Sequence, residues 1–85
     1  MILPNPKVLF SKLGDEAVIL HLDSEEYFNL DQVGVRMWEV ICEKQEIEAS
    51  IPVLLEEYDV DKDTLRRDLE AFVSKLVAEN LLEHA

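Results

Sequence analysis

The chain has 85 residues, enough for one domain and too few for two. A hydrophobic fraction of 48% and only two glycines argue against disorder. Nineteen acidic residues against eight basic ones give a formal net charge of −11, which repels the phosphates of nucleic acids. We therefore expect a single domain over residues 1–85 that does not bind nucleic acid.

The sequence also predicts where the protein resides. No stretch approaches the roughly 20 apolar residues of a membrane span, and residues 1–6 lack the basic and apolar regions of a secretory signal. Cys42 is the only cysteine, so it cannot form an internal disulfide. These features fit a cytoplasmic protein that has no membrane partner, and we expect residues 1–6 to be loosely ordered.

The first third of the chain predicts strands, in the ranges 7–10, 16–22 and 26–30. In the second range, Val18, Leu20 and Leu22 alternate onto one face, and Ile19 indicates that the other face is also partly covered. Short links join the three strands, which favours an antiparallel meander that pairs in chain order.

From residue 31 onward the apolar residues recur at helical spacing. Three helices are predicted: from the N-cap Asp31 to the charged stretch 43–46, from residue 48 or 50 to Tyr58, and from the N-cap Asp61 to residue 79. Gly34 indicates close packing of the first helix, since glycine costs about 1 kcal/mol against alanine there. Asn80 can end the last helix in a left-handed conformation and return Leu81-Leu82 to the core. The order predicts an α+β, winged-helix-like domain in which a three-stranded antiparallel sheet is followed by three helices.

Catalytic or metal-binding patterns are lacking. His21 is expected on the surface of the second strand and His84 at an unordered end, and neither has a metal-ligand spacing to Cys42. The acidic run 59–63 lacks the glycine and closing glutamate of a calcium loop, and helix capping explains it. No phosphate-binding glycine loop or activated nucleophile is present. We therefore expect a binding module that has no enzyme activity, cofactor or metal.

The third strand would have a neighbour on one side only if the strands pair in order. An extended peptide can add to such an edge, because the edge offers unpaired N–H and C=O groups. Alternation places Phe28 and Leu30 on one face of this strand and Tyr27 and Asn29 on the other. On these residues alone, a peptide groove and ordinary packing of the two aromatics explain the pattern equally well.

The third helix would form the second wall of such a groove. Its predicted contribution is Leu65, Asp68, Leu69, Phe72, Lys75 and Leu76. The flank that carries Asp68, Ala71, Phe72 and Lys75 is preferred over the flank that carries Arg66, Glu70, Val73 and Val77. Small Ala71 leaves room beside Phe72, and the two charged residues can hold charged peptide groups. The alternative is a solvated, salt-bridged helix face.

Five motifs occur in order along residues 7–83: Gly14-Asp15-Glu16-Ala17-Val18, Tyr27-x-x-Leu30, Val33-Gly34-x-x-x-Trp38, Leu55-x-x-Tyr58-Asp59-Val60, and Asp68-x-x-x-Phe72-x-x-x-Leu76 before Asn80-Leu81-Leu82. This ordered set resembles the PqqD-like family, the recognition elements of ribosomally synthesised and post-translationally modified peptide (RiPP) pathways. Asp31 departs from the asparagine that is frequent in the family, but both residues cap helices.

The resemblance implies that a precursor's leader peptide pairs with the strand at Tyr27–Leu30 and lies against the third helix. It is closest to the stand-alone members of lasso-peptide pathways, which deliver the leader to a cysteine leader peptidase and then to an ATP-dependent cyclase. The alternative within the family is an adaptor for a radical-SAM enzyme, in the pyrroloquinoline quinone pathway or another. Two further alternatives for the function of the chain are a winged-helix DNA-binding regulator and a dimerisation module that uses the same strand edge.

Overall fold

The computed structural model describes all 85 residues. The elements in chain order are β1 (Ile2–Pro4), β2 (Val8–Leu13), β3 (Glu16–His21), β4 (Tyr27–Leu30), α1 (Gln32–Lys44), α2 (Ile47–Glu57), α3 (Lys62–Ala78) and β5 (Leu82–His84). The predicted α+β order of three strands and three helices is confirmed, and β1 and β5 add a small two-stranded sheet.

The main sheet is an antiparallel meander in the order β2-β3-β4, as predicted. A two-residue turn joins β2 to β3, and its Gly14 has φ +66°, a left-handed conformation that glycine adopts without steric cost. Because β4 comes last in the order, only β3 pairs with it. The predicted open edge is therefore present.

The face of the sheet that meets the core is the opposite of the one that Val18, Leu20 and Leu22 suggested. Ala17, Ile19 and His21 of β3 are buried, whereas Leu22 lies beyond the strand and is 47% exposed. The prediction failed because both faces of β3 are apolar, so alternation gives the period without showing which face α1 covers. The expectation that His21 lies on the surface is wrong for the same reason.

Helices α1 and α3 begin where the sequence places their caps, whereas α2 begins at Ile47, before its predicted start, and has no side-chain cap hydrogen bond. The carboxylate of Asp31 accepts from the Gly34 amide at 2.8 Å, and that of Asp61 accepts from the Thr64 amide at 3.2 Å. A Cβ at residue 34 would lie 3.3 Å from Asp31 Oδ1 and 3.4 Å from Leu30 Cβ, which confirms the close packing at this glycine. Asn80 has φ +63°, and the two leucines after it are buried.

The expectation that residues 1–6 are loosely ordered is wrong. β1 pairs antiparallel with β5, so Ile2 lies opposite His84, which is an ordered strand residue and not an unordered end. Ile2 is 5% exposed, and its amide donates to the Gln45 carbonyl at 2.6 Å. Burial of the Ile2 side chain holds β1 in place. Local sequence patterns do not reveal this strand, because its partner β5 lies at the other end of the chain.

One cluster of 17 buried residues forms the core between the main sheet and the three helices. Its fully buried members include Ile19 of β3, Ile41 of α1, Leu54 of α2 and Leu69 of α3. The core thereby fixes α3 relative to the sheet, and that arrangement creates the groove described below. None of the helices is long and apolar enough to cross a membrane.

Candidate functional site

The open edge of β4 presents backbone groups at two residues. The His21 amide donates to the Glu26 carbonyl at 3.0 Å, which makes these residues a hydrogen-bonded pair just before β4. Hydrogen-bonded and non-hydrogen-bonded pairs alternate along an antiparallel ladder, so Tyr27 and Asn29 occupy non-hydrogen-bonded positions opposite β3. Their N–H and C=O groups point away from β3, toward the open side, and no turn or loop hydrogen bond uses them.

A groove of about 890 Å³ runs beside this edge, between β4, the first turns of α1, and α3. Eight of the ten residues predicted for the site line it: Tyr27, Phe28, Asn29, Leu30, Asp68, Phe72, Lys75 and Leu76. The other two, Leu65 and Leu69, do not line the groove but lie in the core, where they are 3% and 0% exposed. Their side chains point from α3 into the core and support the groove wall from behind.

The preferred flank of α3 is the one that faces the groove. Ala71 lines the groove beside Phe72, which is half-buried. On the opposite flank, Val73 is a core residue and 2% exposed. The groove is therefore lined by the flank of α3 that the sequence analysis preferred.

Sequence reasoning missed the contribution of α1 and of the start of β3. Glu16, Asp31, Val33, Gly34 and Met37 also line the groove. Val33 of α1 is an apolar residue that remains 43% exposed beside the groove. Only Asp31 separates β4 from α1, so the first turns of this helix must lie at the end of the edge strand.

The charges of the groove are mixed and mostly negative. Glu16, Asp31 and Asp68 supply three carboxylates, and Lys75 supplies one ammonium group. Neither Asp68 nor Lys75 forms an ion pair. The groove therefore offers charged side chains that are free to meet a ligand.

The salt-bridged alternative for α3 holds for Arg66 alone. Its guanidinium forms two hydrogen bonds to the Glu48 carboxylate, at 3.0 and 2.7 Å, and this contact holds the pKa of Glu48 below its usual value. The contact joins α3 to α2 on the side of α3 away from the groove. Arg66 is thus a structural residue and leaves the groove flank unpaired.

The surroundings of His21 and Cys42 indicate structural roles for both side chains. His21 Nδ1 accepts from the amides of Asp23 and Ser24, at 3.2 and 3.4 Å, and so braces the turn that leads into β4. Burial raises the pKa of the Cys42 thiol to about 11, which disfavours the reactive thiolate. No group of three or more histidine, cysteine, aspartate or glutamate residues is placed to hold a metal ion.

Comparison with known proteins gives one family and two solved structures. The family model described as coenzyme PQQ synthesis protein D (PqqD) matches residues 16–82. The structure of TbiB1 in complex with the TbiA(beta) leader peptide is 36% identical, with a TM-score of 0.91, and the match covers 98% of this chain and 96% of that one. Lasso peptide synthetase B1 complexed with its leader peptide is 19% identical, with a TM-score of 0.88 and 98% of each chain covered, and shows the fold alone. No curated protein matches the chain.

Proposed function

Because the chain belongs to the PqqD family of RiPP recognition elements, we propose that it binds the leader segment of a ribosomally synthesised precursor peptide by β-strand addition to β4. The members of this family are non-catalytic, so the chain is not an enzyme. The observation that carries the proposal is the unpaired edge of β4, which lies directly beside a groove. TbiB1, the 36% identical relative, is described in complex with a leader peptide.

Two kinds of contact would contribute to recognition of the leader, backbone pairing and side-chain contacts in the groove. The outward N–H and C=O groups of Tyr27 and Asn29 would pair with the leader backbone and give affinity that tolerates many sequences. Alternate leader side chains would enter the groove against Phe28 and Phe72 and supply selectivity. The carboxylates near the groove favour a leader that carries lysine or arginine, while Lys75 would accept an acidic residue.

The pathway that we propose is lasso-peptide biosynthesis, in the cytoplasm. The bound leader would be delivered to a cysteine leader peptidase and then to an ATP-dependent cyclase. The ordered motifs support this proposal because they resemble the stand-alone lasso-pathway members. Holding precursor and enzyme in one complex raises the effective concentration of the core peptide at the enzyme.

A second candidate keeps leader binding and changes the enzyme to a radical-SAM protein. The observation in its favour is the family model that matches the chain, which is that of coenzyme PQQ synthesis protein D. Neighbouring genes discriminate between the two pathways, because a peptidase and a cyclase accompany one and a radical-SAM protein the other. Leader capture itself is the same in both.

The decisive experiment titrates the chain into a fluorescent leader peptide from the precursor encoded beside it, with a scrambled leader as control and the TbiA(beta) leader as a second probe. We expect a dissociation constant between about 1 nM and 1 μM, a range that permits capture and release. Amide exchange at Tyr27 and Asn29 should slow on binding. Absence of saturable binding would reject leader capture, and binding without protection of these two amides would reject strand addition.

Sedimentation of the chain alone addresses the dimerisation alternative. A module that pairs β4 with β4 of a second copy would sediment as a dimer, and added leader would dissociate it because both need the same edge. The proposal expects a monomer whose mass rises by that of one leader. The DNA-binding alternative is opposed by the net charge of −11 and by the carboxylates along the exposed face of α3.

A further inference from the structure

A second pocket, of about 360 Å³, lies beyond the Tyr27 end of the groove, between the turn that joins β3 to β4 and the last turn of α3. It is lined by His21, Asp23, Ser24, Glu26, Ala78, Glu79 and Asn80. Glu26 directly precedes Tyr27 of the edge strand. Glu79 follows Lys75 of the groove wall by about one helical turn. The second pocket therefore continues the groove past the start of β4.

The electrostatics of the second pocket favour a cation. Asp23, Glu26 and Glu79 supply three exposed carboxylates, and only Asp23 has a cation nearby, Lys7 at 3.8 Å. The backbone carbonyls of Ala78 and Glu79, in the last turn of α3, accept no hydrogen bond from a turn or loop, and a helix C-terminus carries partial negative charge. Acidic turns are common on protein surfaces, so charge alone does not define a binding site.

A buried hydrogen-bond donor opens into the same pocket. His21 lies on the inner face of β3 and is only 8% exposed. Its Nδ1 accepts from the amides of Asp23 and Ser24, which places the ring proton on Nε2. Every side-chain nitrogen and oxygen that is closed off from solvent has a partner, so the unpartnered Nε2 must be reachable from outside. Since His21 lines the second pocket, its Nε2–H group calls for an acceptor there.

A peptide segment with a basic side chain matches both halves of this pocket. A backbone carbonyl of the segment accepts from the Nε2–H of His21. The ammonium or guanidinium group donates to the carboxylates of Glu26 and Glu79 and to the last carbonyls of α3. A metal ion does not fit, because no three histidine, cysteine, aspartate or glutamate side chains are placed to hold one. A long, flexible side chain can contact carboxylates that do not converge on one point.

The peptide that reaches the second pocket is the leader itself. A strand that adds to β4 passes Glu26 when it continues beyond Tyr27. The pocket lies on the side of the sheet that α3 covers, and alternate residues of the added strand project toward that side. One leader residue beyond the paired segment is therefore positioned to send its side chain into the pocket.

We propose that the pocket of His21, Glu26 and Glu79 is a second recognition site, which binds a lysine or arginine of the leader just beyond the segment that pairs with β4. The inference rests on the proposed function and deepens it. Backbone pairing along a strand edge tolerates many sequences, so it specifies the register of the added strand only weakly. A pocket for one basic side chain fixes that register and thereby determines which leader residues enter the groove.

The test is a double-mutant cycle between the chain and the leader peptide from the precursor encoded beside it. The protein variant is Glu26→Gln/Glu79→Gln, at two exposed positions outside the groove. Amide exchange of the bound leader locates its paired segment, and the peptide variant carries alanine in place of the lysine or arginine just beyond that segment. We expect either change alone to weaken binding at least about fivefold. The second change should then add less than about twofold, because both remove the same contact.

The matched control is Glu56→Gln/Glu70→Gln, which removes two exposed carboxylates of α2 and α3 that line neither the groove nor the second pocket. It changes the net charge by the same amount and should leave leader affinity within about twofold, because distant exposed charges are screened. A second readout comes from the imidazole of His21, whose nitrogen resonances should shift when the wild-type leader binds.

Equal leader affinity of the Glu26→Gln/Glu79→Gln variant and the control overturns the second recognition site, as does a loss that persists undiminished with the alanine leader. A leader without lysine or arginine beyond its paired segment also overturns it, and so does an unshifted His21 imidazole. In each of these cases the chain still binds the leader, so the proposed function stands. A wild-type chain without saturable leader binding rejects the proposed function, and the second site with it.

Discussion

Phe10 of β2 and Trp38 of α1 stack with nearly parallel rings, 7° apart, and a centroid distance of 5.8 Å. The contact ties the far edge strand of the sheet to the helix that covers its inner face. Phe10→Leu should lower the free energy of unfolding by about 1–2 kcal/mol, from lost area and lost aromatic contact. Urea unfolding followed by fluorescence of Trp38, the only tryptophan, measures the change.

The neighbouring variant Ser11→Ala, on the exposed face of the same strand, is the control and should leave stability within about 0.5 kcal/mol. Leader affinity should not change in either variant, because β2 is at the opposite edge of the sheet from β4. A Phe10→Leu protein as stable as wild type would show that the stack contributes nothing.

Asn29→Pro should weaken leader binding without unfolding the protein. Proline removes the outward N–H of Asn29, and proline is tolerated at a sheet edge where that N–H pairs with no neighbouring strand. We expect a loss of affinity of at least about tenfold, measured by leader titration, because one backbone hydrogen bond and its neighbours are disrupted. The helical circular dichroism signal should persist.

Lys12→Pro is the matched control at the other edge. In the register of β2 and β3, Lys12 also occupies a non-hydrogen-bonded position, so its N–H points outward as that of Asn29 does. This variant should bind the leader as the wild type does. Equal affinities of the two proline variants would contradict strand addition at β4.

Phe72 and Leu69 of α3 separate binding from stability. Leu69 is 0% exposed, so Leu69→Ala should cost about 3–5 kcal/mol of stability. Phe72 lines the groove and is only half-buried. Phe72→Ala should therefore lower the free energy of unfolding by about 1–2 kcal/mol and weaken leader binding at least about tenfold. Thermal unfolding and leader titration of both variants distinguish the roles. A loss of stability in Phe72→Ala as large as that in Leu69→Ala would assign Phe72 to the core.

The thiol of Cys42 should react slowly with an aromatic disulfide reagent at pH 8. Burial raises its pKa to about 11, and the thiolate is the reactive form, so the reaction should speed up as the pH rises toward that value. The rate at pH 8 should be at least about tenfold below that of the urea-unfolded chain. Cys42→Ala provides the blank. Equal rates in the folded and unfolded protein would show that the thiol is accessible and unperturbed.

The parts of the fold that sequence predicts are those that short-range patterns determine. Asp31 and Asp61 predict the starts of two helices, and Asn80 predicts the end of the last one, because capping depends on residues within one turn. The order of the strands follows from their short connections. The open edge of β4, on which the proposed site depends, follows from that order alone.

The parts that sequence does not predict depend on contacts between distant residues. The pairing of Ile2 with His84 joins the two ends of the chain, and no local pattern encodes it. The inner face of β3 is ambiguous because Val18 and Ile19 are both apolar. Val33 reaches the groove only because α1 starts directly at the end of β4, which becomes visible once the elements are packed.

The ion pair between Arg36 of α1 and Glu57 of α2 should make stability depend on pH at the acidic end. The guanidinium forms two hydrogen bonds to the carboxylate, at 2.6 and 2.7 Å, and they hold the pKa of Glu57 below its usual value. A carboxyl with a lowered folded-state pKa stabilises the protein above its unfolded pKa of about 4.3, and this contribution is lost as the pH falls through the folded-state pKa.

Glu57→Gln should therefore be less stable than wild type at pH 7, by at most about 1 kcal/mol since the pair is partly exposed. The difference between the two proteins should shrink from about pH 5 downward, in urea unfolding at a series of pH values. Glu56→Gln, which removes an adjacent exposed carboxylate with no ion pair, should follow the wild-type profile. A difference between Glu57→Gln and wild type that is constant from pH 7 to pH 3 would contradict the assigned cause, because the charge of Glu57 would then not be what stabilises the helix pair.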